Sequence, residues 1–382
     1  MSAARTSSNG GDHEDPMDDV FMAAALSVGR RNLGRAAPNP AVGALIVRDG
    51  VIVSRGWTAR GGRPHAEAIA VAAAAGAAAR GATLYVTLEP CSHHGATPPC
   101  VDVIIAAGVS RVVSAMEDPN PEVAGAGHAR LRAAGVEVVV GPGHAAARLD
   151  HLGHILRVTD GRPMVTLKLA QTPDGYAAGG PHDPRLRITG PIADAFTHVQ
   201  RSLHDAIMIG AGTARIDDPL MTVRLPGLEG EKRLRVVLDA RLSLSPRSRL
   251  AATARDAPLL VVVGEDIAAE KGRAFASATG AEVVHAPLAA GRIDILAALH
   301  LLGARGVTRV FSEGGPAVAE SLLRRGLADE VILHTGVKPL GRPGKAALTA
   351  PSRAALEDDA RYRLVESRTL GVDRMKRYAR TG

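Results

Sequence analysis

Pro64-His65-Ala66-Glu67 and Thr87-Leu88-Glu89-Pro90-Cys91-Ser92-His93-His94-Gly95-Ala96-Thr97-Pro98-Pro99-Cys100 are the two stretches that decide how this chain reads. Cys91 and Cys100 are its only cysteines, so at most one disulfide could form, and in a reducing cytosol that would not persist. Catalytic zinc usually takes three His or Cys ligands and leaves a fourth tetrahedral position for water. His65, Cys91 and Cys100 fill that count. Mid-helix, residues two apart point about 200° away from each other, so His65 and Glu67 can share a site only in the first turn of a helix. Pro64 suits such a start. The partial positive charge of a helix N-terminus also favours a thiolate at Cys100. The residues alone leave a structural zinc site open as well, with His93 or His94 as a fourth ligand.

Working outward, residues 18–31 place Phe21, Ala24, Ala25 and Val28 on one helical face, and Pro38-Asn39-Pro40 stops any continuation. Runs 41–47 and 51–54 flank Asp49-Gly50, a dipeptide suited to a tight hairpin. Helix 66–79, strand 83–88, helix 100–107, strand 111–115, helix 127–134 and strand 136–140 follow. Such alternation predicts an α/β layered sheet. It lapses around 141–161 and resumes at 165–169, which puts a domain boundary at 150–162. Beyond it, strands are predicted at 206–210, 234–239, 258–263, 281–285, 308–312 and 329–334, with helices at 192–203, 293–303 and 316–325.

The length of 382 residues favours two domains. Apolar residues make up 46% and charged ones 22%, the balance of a folded globular protein. The longest apolar run, 68–79, is too short to span a bilayer, and the polar stretch 1–14 reads as a disordered tail without a signal pattern. A cytoplasmic protein with no membrane partner is expected. The net charge of +7 suits phosphorylated small molecules. Aromatic residues total only 2%, too few to stack bases, which argues against nucleic acid. A second copy of the chain stays open as a partner.

A His-x-Glu motif with Pro-Cys pairs is the signature of zinc deaminases, in which the Glu carries a proton from the attacking water to a ring nitrogen and the leaving amine. That makes Glu67 the catalytic candidate. Eight residues separate the two cysteines here, against two in the usual pattern. This longer loop closely resembles the bifunctional riboflavin-biosynthesis deaminase/reductase family. So do Pro38-Asn39-Pro40-Ala41-Val42-Gly43 and Asp118-Pro119-Asn120-Pro121, followed by Val123, Gly125 and Gly127. In the second half the resemblance rests on Leu167-Lys168-Leu169-Ala170, Asp174-Gly175, Ile188-Thr189-Gly190-Pro191, Arg201, Asp205 to Arg224 and Glu313-Gly314-Gly315-Pro316.

The resemblance implies a cytidine-deaminase-like domain over 15–150 and a dihydrofolate-reductase-like α/β domain over 160–382. The expected reactions are hydrolytic loss of the 2-amino group of a diaminopyrimidinone ribosyl phosphate, then NADPH reduction of its ribose. One zinc per chain and NADPH are the implied cofactors. By similarity Ala170, Arg187, Thr213, Asp217 and the turn Gly315, Pro316, Ala317, Val318, Ala319, Glu320 and Ser321 match cofactor-binding positions. Arg185, Arg201, Met221, Arg224 and Glu313 match substrate-binding ones. Physically, Gly314 and Gly315 let amides at a helix start approach a phosphate, and Arg201 and Arg224 suit a substrate phosphate. The sequence departs from the family at Tyr176, where a basic residue commonly follows Asp-Gly, and at Arg187, where a Trp is usual. A nucleoside, base or transfer-RNA deaminase would share the zinc chemistry but would not need Asp205 to Arg224 or Glu313 to Pro316. A zinc-stabilised scaffold with an inactive reductase half is the reading from outside enzymology.

Overall fold

The computed structural model describes residues 15–74, 78–94, 98–121, 123–180, 183–184 and 186–381; the tail expected at 1–14 lies outside them. They form two compact units. The first comprises residues up to Arg31, Val42–Thr58 and Pro64–Asp150; the second comprises Asn32–Ala41, Ala59–Arg63 and everything from His151 onward.

In the first unit a five-stranded sheet runs in the order β2-β1-β3-β4-β5, built from β1 (Gly43–Arg48), β2 (Val51–Trp57), β3 (Thr83–Val86), β4 (Arg111–Ser114) and β5 (Glu137–Val140). β1 is antiparallel to β2 and β3, and β3, β4 and β5 are parallel. The hairpin turns at Asp49 and Gly50 with φ of 49° and 75°, the left-handed geometry that this dipeptide tolerates. Helix α1 (Pro16–Gly29) starts two residues earlier than predicted, because the Asp15 carboxylate caps the Met17 amide and Pro16 occupies the first turn. It buries Phe21, Met22, Ala25 and Leu26. From it Asp18 reaches the guanidinium of Arg111 on β4 at 2.8 and 2.7 Å and accepts from the Tyr85 hydroxyl at 2.8 Å. Burial opposes the Asp18 charge, yet those hydrogen bonds hold its carboxyl below the usual range.

Helices α2 (Ala66–Ala73), α3 (Cys100–Ala106), α4 (Ala126–Ala133) and α5 (His144–Asp150) complete this unit. Predicted helix 66–79 ends earlier, and residues 75–77 lie outside the described ones. Gly56 on β2 faces α2 so closely that a Cβ there would stand 2.1 Å from the Ala66 carbonyl oxygen. Only glycine allows that approach, which fixes the start of α2 against the sheet.

From His151 onward the second unit continues with α6 (Leu152–Thr159), within the stretch read from sequence as irregular. Gly, His and Arg dilute its apolar pattern, although Ile155 and Leu156 are buried. Then come β6 (Met164–Gln171), β7 (Tyr176–Ala178), α7 (Pro191–Ser202), β8 (Ala206–Gly210), α8 (Ala211–Asp217), β9 (Leu234–Leu238), α9 (Arg249–Ala252), β10 (Leu259–Gly264) and α10 (Ala269–Thr279). The remaining elements are β11 (Glu282–Ala286), β12 (Leu288–Ala289), β13 (Arg292–Ile293), α11 (Ile295–Ala304), β14 (Arg309–Ser312), α12 (Pro316–Arg324), β15 (Glu330–Thr335), β16 (Lys345–Ala346), α13 (Ala350–Glu357), β17 (Tyr362–Leu370) and β18 (Asp373–Arg380).

Nine of these strands make one sheet in the order β11-β10-β9-β8-β14-β6-β15-β18-β17. From β11 to β15 the strands are parallel; β18 and β17 close the edge antiparallel. Inner strands β8 and β10 are apolar along their length, β10 being buried at every residue, as expected where helices cover both faces. Arg162 binds Asp329 through both terminal nitrogens at 2.8 Å, and Asp329 also accepts from the Val165 amide. The pair pins the starts of neighbouring β6 and β15. Among the described residues, no helix is long and apolar enough to cross a membrane.

Candidate active sites

His65 caps α2 with an extended backbone, φ −73° and ψ 160°, and Cys100 opens α3. Cys91 follows the end of β3 in the Glu89-Pro90-Cys91 segment. These placements bring the His65 Nδ1 to 3.3 Å from the Cys100 Sγ and 3.6 Å from the Cys91 Sγ, and all three ligand atoms lie within 4.8 Å of one another. Zn–S and Zn–N bonds of ~2.3 and ~2.0 Å at a tetrahedral angle imply S···N separations of roughly 3.5 Å, so the set fits zinc. His93 and His94 are exposed and stand outside the cluster, which removes the fourth protein ligand of a structural site.

Glu67, in the first turn of α2, is 4% exposed. Burial pushes its carboxyl up to about 7, and the Cys91 charge adds to the effect. Cys91 itself is held down to about 4, first by the Cys100 hydrogen bond, against its own burial, and then by His65. The same hydrogen bond and burial push the Cys100 thiol up. Without metal, one proton thus stays on Cys100. A coordinated cation would drive it off, since a ligating thiol ionises outright.

Glu89 is a site residue that the sequence reading passed over. Its buried carboxylate accepts four backbone amides: Asp118 at 3.0 Å and Gly125 at 2.9 Å on one oxygen, Gly127 at 2.8 Å and His128 at 3.3 Å on the other. The segment after β4 is thereby tied to the residue two before Cys91. A Cβ on Gly127 would lie 2.1 Å from the Pro90 carbonyl oxygen, and the Arg130 guanidinium donates to the Ser92 carbonyl at 3.3 Å. Gly125 and Gly127, quoted above only for resemblance, are therefore part of the clamp on the cysteine loop. Their spacing from Asp118 was the available signal.

In the second unit Ala170, Thr213, Glu313 and Gly315 lie at or just beyond the carboxyl ends of the neighbouring strands β6, β8 and β14. Ala170 is near the end of β6, with Thr213 and Asp217 on α8, a helix not among those predicted from the sequence. Gly315 caps α12 and donates its amide to the Thr213 hydroxyl at 3.2 Å, so these two positions meet. Pro316, Ala317 and Val318 form the first turn. Farther along, Ala319 is fully buried, Glu320 lies 4.0 Å from Arg324, and Ser321 donates to the Ala317 carbonyl at 3.0 Å.

Arg201 and Glu313 meet each other: Nε to Oε1 is 2.6 Å and Nη2 to Oε2 is 2.9 Å, while Nη1 donates to the Thr222 carbonyl at 2.9 Å. Burial opposes the Glu313 charge, but Arg201 keeps its carboxyl below the usual range. Arg224 is exposed, with Nη1 on the Thr222 hydroxyl at 3.0 Å. Met221 is buried with φ of 53°. Arg187 is exposed and 3.6 Å from Asp194. Arg185 lies outside the described residues. Sequence reasoning missed Lys168, quoted above only as context, which sits on β6 and contributes to holding down both Glu313 and His334.

Comparison with known proteins accounts for both units. Residues 16–116 match the cytidine and deoxycytidylate deaminase zinc-binding region, and residues 163–375 match the RibD C-terminal domain. The riboflavin biosynthesis protein RibD of Escherichia coli is 36% identical, over 93% of this chain and 97% of the relative. That of Aquifex aeolicus is 37% identical, over 85% and 88%. Among solved structures, Acinetobacter baumannii RibD superposes with a TM-score of 0.84 at 30% identity, covering 96% of this chain and 99% of that one. A diaminohydroxyphosphoribosylaminopyrimidine deaminase/5-amino-6-(5-phosphoribosylamino)uracil reductase from Thermotoga maritima does so with a TM-score of 0.81 at 32% identity, over 96% and 99%. The His-Cys-Cys cluster fits the zinc-binding half of this pattern, and the reductase half fits a pyridine nucleotide. The chain belongs to the RibD family of riboflavin-biosynthesis enzymes, bifunctional proteins that join a deaminase domain to a reductase domain.

Proposed function

We propose that this chain hydrolyses the 2-amino group from 2,5-diamino-6-(5-phosphoribosylamino)pyrimidin-4-one and then reduces the ribosyl group of the product to ribityl phosphate with NADPH. The observation that carries the first step is the convergence of the His65 Nδ1 and the Cys91 and Cys100 sulfurs beside a buried Glu67. One zinc per chain, held by those three residues, would supply an activated water. Glu67 moves the protons: a carboxyl poised near neutrality can take one and give it to the ring nitrogen and the departing amine. Glu89 keeps the Cys91 segment in register.

For the second step, Ala170, Thr213, Asp217, Arg187 and the Gly315–Ser321 turn are assigned to NADPH. Met221, Arg224, Arg185, Arg201 and Glu313 are assigned to the substrate. Of the two phosphate candidates, Arg224 makes the direct contact and Arg201 acts through Glu313, because its guanidinium is already engaged. Residues 15–150 carry deamination and 160–382 carry reduction, in the cytoplasm, where a phosphorylated substrate and NADPH are held. The test is ammonia release and NADPH oxidation by zinc-loaded protein on the phosphoribosyl pyrimidine. Both are expected; failure of both would return the chain to the scaffold reading.

A further inference from the structure

The second unit holds a cavity of about 410 Å³ whose lining includes none of the residues assigned above to cofactor or substrate. It lies where β6, β15 and β18 meet α13. Gln171, at the end of β6, pairs in register with Thr335 on β15, which faces Arg374 on β18; Lys376 lies opposite Leu333. Side chains alternate along a strand, so Gln171 points to the face opposite Ala170. The cavity is therefore on the other side of the sheet from the Ala170 side chain.

Its chemistry is specific. Arg353, Arg374 and Lys376 line it, and none makes a side-chain hydrogen bond or ion pair among the described residues. Their neighbour Arg377, on the other face of β18, binds Glu330 at 3.1 Å and Glu366 at 3.2 Å, so cations in this region do take partners where these are offered. Glu357 is the one acid in the lining. Gln171 supplies a second, independent feature: it is only 8% exposed, its amide nitrogen donates to the Thr335 hydroxyl, and its carbonyl oxygen is buried with no hydrogen-bond partner. A buried acceptor left unpaired costs about 1–3 kcal/mol, so it calls for a donor. Leu333, Leu348 and Leu356 give an apolar floor, and Tyr378 an aromatic wall.

We infer that this cavity is a second ligand site for a phosphorylated heterocycle. The phosphate engages Arg353, Arg374 and Lys376, a ring N–H donates to the Gln171 carbonyl oxygen, and the ring lies on the leucine floor. The volume is within the range of small-molecule sites. Two sources share this chemistry: a purine nucleotide and a pyrimidine nucleotide.

The experiment titrates the zinc-loaded full chain by calorimetry with guanosine monophosphate and uridine monophosphate, whose bases each carry a ring N–H, and with inorganic phosphate, for wild type and for the Arg374→Ala/Lys376→Ala double variant. Wild type should bind at least one nucleotide with Kd below ~1 mM and more tightly than phosphate, and the double variant should bind it tenfold or more weakly. Ammonia release and NADPH oxidation by the double variant, without added nucleotide, should match wild type, which separates this site from the catalytic ones. The stronger nucleotide identifies the source. Wild-type affinity in the double variant, or no nucleotide binding by wild type, overturns the proposal; phosphate binding as tight as nucleotide overturns the ring assignment.

Discussion

Arg201 and Glu313 form a two-pronged ion pair, at 2.6 and 2.9 Å, with side chains only 11% and 15% exposed. Sequence similarity assigned each to substrate separately, but each is the other's partner. Removing one member strands a buried charge, so Arg201→Ala should cost roughly 3–5 kcal/mol, and Arg201→Ala/Glu313→Ala less than the sum of the single changes. Arg224, being exposed, should contribute little to stability. Arg224→Ala should weaken discrimination between phosphorylated and dephosphorylated substrate by about tenfold in reduction kinetics. Urea unfolding of the three Arg201/Glu313 variants and kinetics of Arg224→Ala check both halves. Equal discrimination by wild type and Arg224→Ala would move the phosphate site elsewhere.

Cys91→Ser or Cys100→Ser should lower zinc stoichiometry and the stability of the first unit together, because site formation and folding are linked. A chelator should lower the stability of wild type more than that of either variant. Metal analysis and thermal unfolding read these out. One zinc per chain in both variants would mean that other residues hold it.

Asp18 sets a pH dependence. Its folded carboxyl lies below its ordinary value of 3.8, through Arg111 and Tyr85 against the cost of burial. A depressed carboxyl contributes stability that is fully present above the unfolded value and is lost as pH falls through the folded one. Wild type should therefore lose stability to Asp18 protonation below about pH 4. Asp18→Asn should be less stable at neutral pH, with a shallower decline between pH 4 and 2. Parallel declines would show that other carboxylates govern acid unfolding.

The legible parts of the molecule were those where local chemistry and global fold ask for the same residue. Asp49-Gly50 demanded a left-handed turn, β8 and β10, buried between neighbouring strands, had to be apolar throughout, and His65, Cys91 and Cys100 could be grouped because metal ligation restricts residue type. The edge hairpin β17–β18 escaped notice because charged side chains, Arg377 paired with Glu330 and Glu366 among them, interrupt its apolar pattern, and such a sequence resembles exposed loop. Helix α8 escaped because Gly210-Ala211-Gly212 suggests a turn. Glu89 was invisible for another reason: its four partners are backbone amides, which carry no residue signature.

If Glu67 serves deamination alone, the two reactions can be separated by a single substitution. The direct measurement uses zinc-loaded Glu67→Gln protein with NADPH, offered the diaminopyrimidine phosphoribosyl substrate and, separately, its deaminated product, with ammonia and NADPH both followed. The predicted result is full zinc content, ammonia release reduced by ~10² or more, and NADPH oxidation on the deaminated compound at the wild-type rate. Wild-type ammonia release at full zinc content would contradict the role given to Glu67, and no NADPH oxidation by wild type on the deaminated compound would contradict the second reaction.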